Sequence, residues 1–492
     1  MSKTTGEYLI TREKNIYEVV IGLEVHAQVL SNSKLFSSSS TKFGAEPNTQ
    51  VSLVDAAFPG MLPVINEYCI KQAVKTGIGL KAKINNKSVF DRKNYFYADL
   101  PQGYQISQYK HPIVGEGTVI LDMSYGQREI GIERLHLEQD AGKSIHDLDP
   151  QSTFVDLNRS GVALMEIVSK PDLRSLEEVN SYIKKLRSIM RYLGTCDGNM
   201  QEGSLRADVN ISVRKPGDKL GTRCEIKNLN SIKFIKQAIE YEARRQIKII
   251  EEGGIIEQNT LLFNPQTGKT KPMRSKEEAH DYRYFPDPDL LPLNLEEELI
   301  ENIKKEIPEL PDKRKNRYIN DYKLSNYDSS VLTIEKSISD YFDQVLDCHK
   351  DLKKSAKLVV NWITSELFAI LKKNETEIHN SPITPDNLGL LVKLIISNRI
   401  SGKIAKGVLE DMYQNKQTPG EIIDSKGLFQ VTNVKEIELI IDQILKLNYD
   451  KVNDYKAGKT KLLGFFVGQA MQVSKGKVNP KMLNDILIKK LS

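Results

Sequence analysis

The chain has 492 residues, 39% of them hydrophobic, and its 70 basic against 65 acidic side chains leave a net charge of +5. That length exceeds what one hydrophobic core normally serves, so two to four domains are expected, and the charge is too small to establish a nucleic-acid partner by itself. No apolar run approaches the roughly 20 residues that span a bilayer, the start lacks the apolar stretch of a secretory signal, and Cys69, Cys196, Cys224 and Cys348 show neither metal nor redox spacing, which suits a reducing cytoplasm.

The first clear element is a strand from Val19 to Val29, apolar through Ile21 and alternating thereafter. Side chains along a strand point alternately to opposite faces, so Glu24, His26 and Gln28 share one face and Leu23, Val25 and Ala27 the other. A carboxylate and an imidazole two residues apart can serve one ion, or simply form a hydrogen-bonded polar strip. Residues 31–66, rich in Ser, Asn, Gly and Pro, read as a loop-bearing insertion, and Asn66 to Gly77 as a helix burying Ile70, Ala73 and Val74. Residues 91–109 set five aromatic rings among Arg92, Lys93 and several amides, a mixture suited either to a nucleic-acid end or to a folded loop with half-buried tyrosines.

From Gly131 the pattern alternates again, Leu135 and Leu137 opposing Arg134, His136 and Glu138. A loop with Lys143 leads to a third strand at Phe154–Asn158, and then Gly161 to Val168 places Glu166 inside an apolar segment. A lone buried carboxylate is costly unless paired or bound to a cation; a salt bridge to Arg134 or Arg159 is the plain alternative. Ser175 and Glu178 read as a capping box for a helix ended by Gly194. A hairpin follows, with Arg206, Asp208 and Asn210 on the polar face of one arm and Arg223, Glu225 and Lys227 on the other, joined by Pro216-Gly217-Asp218. Asn230 or Ser231 caps a long helix closed by Gly253-Gly254, a basic turn spans 268–276, and the Pro-rich aromatic stretch 279–290 is expected to pack at the edge of the site.

Beyond Pro308 and Pro311 the pattern is helical: Leu346–Leu371, then Asn387–Met412 bent near Gly402 and Gly407, a break at Thr418-Pro419-Gly420, a cap at Asn433 and Glu436, and a last helix from Asn479-Pro480. Residues 443–492 carry ten lysines against three aspartates, a net +7. Lysine without arginine suits nonspecific phosphate contact or plain solubility. The fold class expected is α+β: a large mixed α/β domain with an antiparallel sheet (1–308), a helical domain (309–423) and a small all-helical tail (424–492). Glu24, His26, Glu138 and Glu166 lie on polar faces of separate strands, a donor set for Mg²⁺, Mn²⁺ or Zn²⁺. No phosphate-loop, dinucleotide or zinc-protease motif is present.

Nine ordered segments resemble the B subunits of the tRNA-dependent Asp/Glu amidotransferases, the GatB/GatE family. They are Ile21-Gly-Leu-Glu-Val-His26, Phe43-Gly-Ala-Glu-Pro-Asn48, Asp91-Arg-Lys-Asn-Tyr-Phe-Tyr97, Leu100-Pro-Gln-Gly-Tyr-Gln-Ile-Ser107, His136-Leu-Glu-Gln-Asp-Ala-Gly-Lys143, Val155-Asp-Leu-Asn-Arg159, Glu202-Gly-Ser-Leu-Arg206, Glu225-Ile-Lys-Asn-Leu-Asn230 and Asp281-Tyr-Arg-Tyr-Phe-Pro286. The resemblance implies ATP-dependent phosphorylation of the side-chain carboxylate of Glu on tRNA(Gln) or Asp on tRNA(Asn). Amidation follows, by ammonia from a glutamine-hydrolysing amidase (the A subunit of the family), with a small C subunit completing a heterotrimer. The resemblance maps Mg²⁺ ligands onto Glu24, His26, Glu138 and Glu166 and gives the basic tail a role on the tRNA body. Arg206, Asp208, Arg223 and Lys227 are the candidates for nucleotide contact, the cations for phosphate oxygens. Where some members hold zinc through two cysteine pairs, this chain has Ser37, Ser39, Ser52 and Asp55, so no structural zinc is expected. Ala98 stands where proline is frequent. A bacterial cytoplasmic setting without membrane contact is expected. A freestanding metal-dependent hydrolase and a non-catalytic tRNA-presenting scaffold are the alternatives.

Overall fold

The computed structural model describes residues 8–12, 15–146, 148–149, 151–273, 282–428, 434–474, 478 and 480–491. Two compact units are present, Met1–Pro311 and Asp312–Ser492. The first opens with strands β1 (Leu9–Arg12) and β2 (Asn15–Gln28), helix α1 (Glu67–Gly79), and strands β3 (Lys87–Ser88), β4 (Asp91–Asn94), β5 (Tyr104–Ser107), β6 (Gly117–Met123) and β7 (Gly126–Gln139). Strands β8 (Lys143–Ile145), β9 (Phe154–Asp156) and β10 (Ala163–Ser169) precede α2 (Leu176–Leu193), β11 (Leu205–Arg214), β12 (Cys224–Lys227) and α3 (Ile232–Glu251). The unit closes with β13 (Thr260–Asn264), β14 (Lys269–Pro272), β15 (Phe285–Pro286), β16 (Leu293–Asn294) and α4 (Glu297–Glu306).

One nine-stranded sheet organises this unit, in the order β14-β13-β12-β11-β2-β10-β7-β6 with β1 paired to β2. All its pairs are antiparallel except β12 with β13. The apolar face of β2 (Val19, Ile21, Leu23, Val25 and Ala27) is fully buried in one core with Val179, Tyr182, Ile183 and Leu186 of α2 and Ile235, Ile239 and Ala243 of α3. Burying each such side chain is worth about 1.5–3 kcal/mol, so the helices claim that face and leave the other for polar groups.

The caps differ from expectation in one respect. Ser175 Oγ accepts the Glu178 N–H, but the Glu178 carboxylate accepts from Arg174 N and Tyr125 Oη instead of returning to Ser175. Ser231, not Asn230, caps α3. The strand expected at Phe154–Asn158 does not join the main sheet, since β9 pairs only with β8 in a small hairpin that starts at Lys143. The insertion 31–66 is built of turns around a buried ion pair, Lys34 Nζ to Asp55 Oδ2 at 3.0 Å, with Ser37 Oγ and the Ser52 N–H also donating to Asp55.

In the second unit Pro311–Tyr322 and Lys336–Cys348 pack with Pro385–Ile396 and Gly402–Asn415 around a core containing Phe342, Val360, Ile363, Leu391 and Leu409. The bend expected inside 387–412 is a full break at 397–401. Trp362–Leu367 is a π-helical turn, placing Trp362, Ile363 and Leu367 together in the core. The break expected at Thr418-Pro419-Gly420 falls at 416–418, and Pro419 then opens a helix, Pro419–Lys426, whose Ile422 and Ile423 belong to this same core. A separate cluster joins Ile437, Ile441, Phe466, Leu483 and Leu487 from Val434–Leu447, Leu462–Val473 and Pro480–Leu491. The cap expected at Asn433, part of the basic turn (274–276) and residues 475–477 of the lysine-rich tail lie outside the described residues, as do 279–281.

Candidate active site

The polar face of the sheet carries rows set by strand register. Arg206 of β11 pairs with His26 of β2, His26 with Glu166 of β10, and Glu166 with His136 of β7. One row along stand Gln28, Leu164 and Glu138; on the other side stand Asp208, Glu24, Val168 and Arg134. Four separate stretches of chain thus deliver their polar groups to one patch, because each strand has its apolar alternates locked beneath the helices.

His26, Glu138 and Glu166 each offer one ligand atom, all within 4.8 Å of one another. His26 Nε2 lies 3.3 Å from Glu166 Oε2 and 3.6 Å from Glu138 Oε1; His136 Nε2 lies 3.4 Å from Glu166 Oε2 and 3.8 Å from Glu138 Oε2. Glu138 and Glu166 are buried, and the ion pairs considered for Glu166 do not form: Arg134 meets Glu133, and Arg159 meets Asp140. Burial alone would lower the His26 pKa, but the hydrogen bond and charge of Glu166, then Glu138 and Asp208, lift it. His136 is pushed up to about 9 against its burial by Glu166 and Glu138. Glu166 is held well below the usual carboxylate range by the two imidazoles, although burial opposes this. A pocket that draws protons onto imidazoles carries surplus negative potential. Two carboxylates with an imidazole fit a hard or borderline divalent cation.

Glu24 does not join this group. Its carboxylate accepts from Asn210 Nδ2 at 2.7 Å, and burial, then Glu166 and Glu225, raise its pKa. Asp208 and Lys227 do reach the site, paired at 2.8 Å, with Lys227 also 2.7 Å from Glu225. Arg206 Nη2 meets Asp140 Oδ2 at 3.1 Å. Arg223 is exposed beyond the end of β12 and lies outside the cavity.

That cavity, about 390 Å³, is lined by His26, Glu138, Arg206, Asp208 and Lys227 on the sheet side and by Lys93, Tyr95 and Gln105 opposite. The opposite wall is the small sheet β15-β4-β5. Gln105 Nε2 donates to the Gln139 main-chain carbonyl at 2.8 Å, and the Gln108 side-chain Oε1 accepts the Leu137 N–H at 3.1 Å, tying this wall to β7. Lys93 Nζ sits 5.0 Å from the Tyr282 ring centre, and Tyr109 stacks on Tyr284 at 4.2 Å. Glu138, Tyr284 and Glu166 raise the Lys93 pKa against its burial. Lys93 and Tyr95 entered the sequence reading only within the aromatic stretch 91–109, and Asp140 and His136 were not among the sequence candidates. The alternation Asp91, Lys93, Tyr95 beside the polar strands was the available signal for the first two.

The segments that build this site lie within residues 19–301, which match the GatB/GatE catalytic domain, and residues 340–491 match the GatB domain. The chain belongs to the GatB/GatE family of tRNA-dependent amidotransferase B subunits. It is 66% identical over 492 residues, all of both chains, to the B subunit of the aspartyl/glutamyl-tRNA(Asn/Gln) amidotransferase of Pelagibacter ubique. The proteins of that name from Rhizobium meliloti (59% over 481 residues, 96% of this chain and 95% of the relative) and Rhodospirillum rubrum (58% over 486 residues, 98% and 99%) are similarly close. Among the described residues, no helix is long and apolar enough to cross a membrane.

Proposed function

We propose that this chain activates the side-chain carboxylate of Glu on tRNA(Gln) or Asp on tRNA(Asn) with ATP and converts it to the amide, within a heterotrimer with a glutamine-hydrolysing amidase and a small third protein, the family's A and C subunits, in a bacterial cytoplasm. The observation that carries this reading is the cavity bounded by His26, Glu138, Arg206, Lys227 and Lys93. A carboxylate has no leaving group that ammonia can displace in water, so its oxygen first takes the γ-phosphoryl group of ATP, releasing ADP. Ammonia then attacks the acyl carbon and phosphate departs. His26, Glu138 and Glu166 would hold Mg²⁺, with Glu24 one row away as an additional carboxylate. When bound, the ion neutralises phosphate charge. Arg206 and Lys227 approach phosphate oxygens while Asp140, Asp208 and Glu225 hold their side chains in place. Lys93 presents its charge from the opposite wall, and the rings of Tyr95, Tyr282 and Tyr284 restrict water, which would hydrolyse the acyl phosphate.

The test is reconstitution with the amidase and the small third protein, supplying each misacylated tRNA with ATP and glutamine. Glu138→Gln should lower amide formation by about 100-fold or more, the several kcal/mol a cation contributes to phosphoryl transfer, with assembly and tRNA binding intact. Full activity in that variant would instead support a presenting scaffold, and phosphoester or amide hydrolysis by the lone chain a hydrolase.

A further inference from the structure

His136 lies beside the carboxylate pair yet has no place in the ligand set argued above. Its side chain is 6% exposed. It stands directly across from Glu166 in the β7–β10 register, as His26 does on the β2 side, so Glu166 is held between two imidazoles. Its Nε2 faces Glu166 Oε2 at 3.4 Å and Glu138 Oε2 at 3.8 Å, while its Nδ1 is buried with no hydrogen-bond partner among the described residues. A proton on Nδ1 alone would leave an unpaired N–H buried and aim a bare Nε2 lone pair at two anionic oxygens. Nε2 therefore carries a proton. His136 is also outside the set of groups whose ligand atoms converge within 4.8 Å.

We infer that His136 is a positioning residue for the cation site: its Nε2–H holds Glu166 from the side away from His26 and sets the rotamers in which Glu166 and Glu138 offer oxygen to the ion. The inference rests on the cation reading of that cluster. Groups that orient metal ligands in this way typically change metal affinity by about 10–100-fold when removed.

The probe is Mn²⁺, titrated into the full chain assembled with its partner proteins and followed by electron paramagnetic resonance. Two variants share chemistry but differ in reach. In His136→Gln the amide N–H extends to the place of Nε2; in His136→Asn it stops near the place of Nδ1, away from the carboxylates. The expected result is Mn²⁺ binding about 10–100-fold weaker in His136→Asn, near wild type in His136→Gln, with thermal unfolding matched between the two. Electron spin-echo modulation with ¹⁵N-histidine should show one directly bound nitrogen in wild type. Equal affinities in the two variants would overturn the inference, as would a second bound nitrogen that vanishes with His136, which would make it a ligand. Mn²⁺ binding unchanged by His26→Ala would overturn the cation reading itself; binding lost in His26→Ala but untouched in His136→Asn would overturn only the role of His136.

Discussion

Replacing Lys34 with methionine isolates the side chain around which the insertion folds. Lys34 is fully buried, Asp55 is 4% exposed, and their contact at 3.0 Å is joined by Ser37 Oγ and the Ser52 N–H on Asp55 and by the Leu157 carbonyl on the ammonium. Burial pulls the Lys34 pKa below its usual value even with Asp55 against it, so the pair itself adds little net stability; its removal in halves is what costs. Lys34→Met strands a buried carboxylate, a loss of about 3–5 kcal/mol. At about 2.1 cal/mol/K of unfolding entropy per residue, a unit of roughly 300 residues should lose about 5–8 °C in Tm. Adding Asp55→Asn removes the unpaired charge while its carbonyl still accepts from Ser52 and Ser37, so the double variant should regain at least half of that loss. Calorimetry of wild type beside both variants is the assay. A double variant no more stable than Lys34→Met, or a Lys34→Met transition indistinguishable from wild type, would refute the reasoning.

Removing residues 429–492 should weaken tRNA binding by roughly tenfold or more at ~0.15 M salt and flatten its salt dependence, with glutamine hydrolysis by the assembled enzyme spared; unchanged affinity would reject a tRNA role for the tail. The cut falls after Leu428, not after 423, because a cut at 423 would split the helix Pro419–Lys426 and remove Leu428, which packs against the second core. Glu18 is held by Arg174 Nε at 2.9 Å and by Arg214 Nε, and these guanidiniums lower its pKa although burial opposes them. A carboxyl depressed in the fold stabilises above its unfolded pKa and loses that contribution as pH falls through its folded value. Wild type should therefore exceed Glu18→Gln by about 1 kcal/mol at pH ~7, a gap that closes at acid pH below the folded pKa; urea midpoints showing the same gap at neutral pH and in acid would count against it.

The alternation along β2, β7, β10 and β11 was legible because each strand buries one face completely, and an apolar-polar period of two has one reading there. Alternation also placed His26, Glu138 and Glu166 on one side. What it could not supply was the depth of each side chain along its neighbour. Glu24 and His26 look equivalent in sequence, yet the register sets His26 beside Glu166 and Glu24 beside Val168, where Asn210 takes its carboxylate. Arg223 has the period of the hairpin but lies beyond its last pair. Lys93 was hidden for another reason: it arrives from a separate small sheet, which hydrogen bonds of Gln105 and Gln108 to β7 hold over the polar face. The break read at Thr418-Pro419-Gly420 is a helix break but not the end of the second core, because proline at a first helical position starts a new helix whose Ile422 and Ile423 pack back into it.

Register is also what makes the cluster either present or absent. Slipping β10 by one residue against β2 would turn Glu166 into the helix-packed core and bring Met165 or Ile167 up beside His26. Such a slip would bury a carboxylate without a partner and expose two apolar side chains, so the same burial that stabilises the sheet forbids it. The cost of holding Glu138 and Glu166 together is therefore met by the sheet as a whole, through Val25, Leu135, Leu137 and Ile167, all fully buried. Trimming those apolar residues should disturb cation binding as surely as changing the ligands. That coupling explains how two buried carboxylates, Glu138 and Glu166, are held beside each other between His26 and His136.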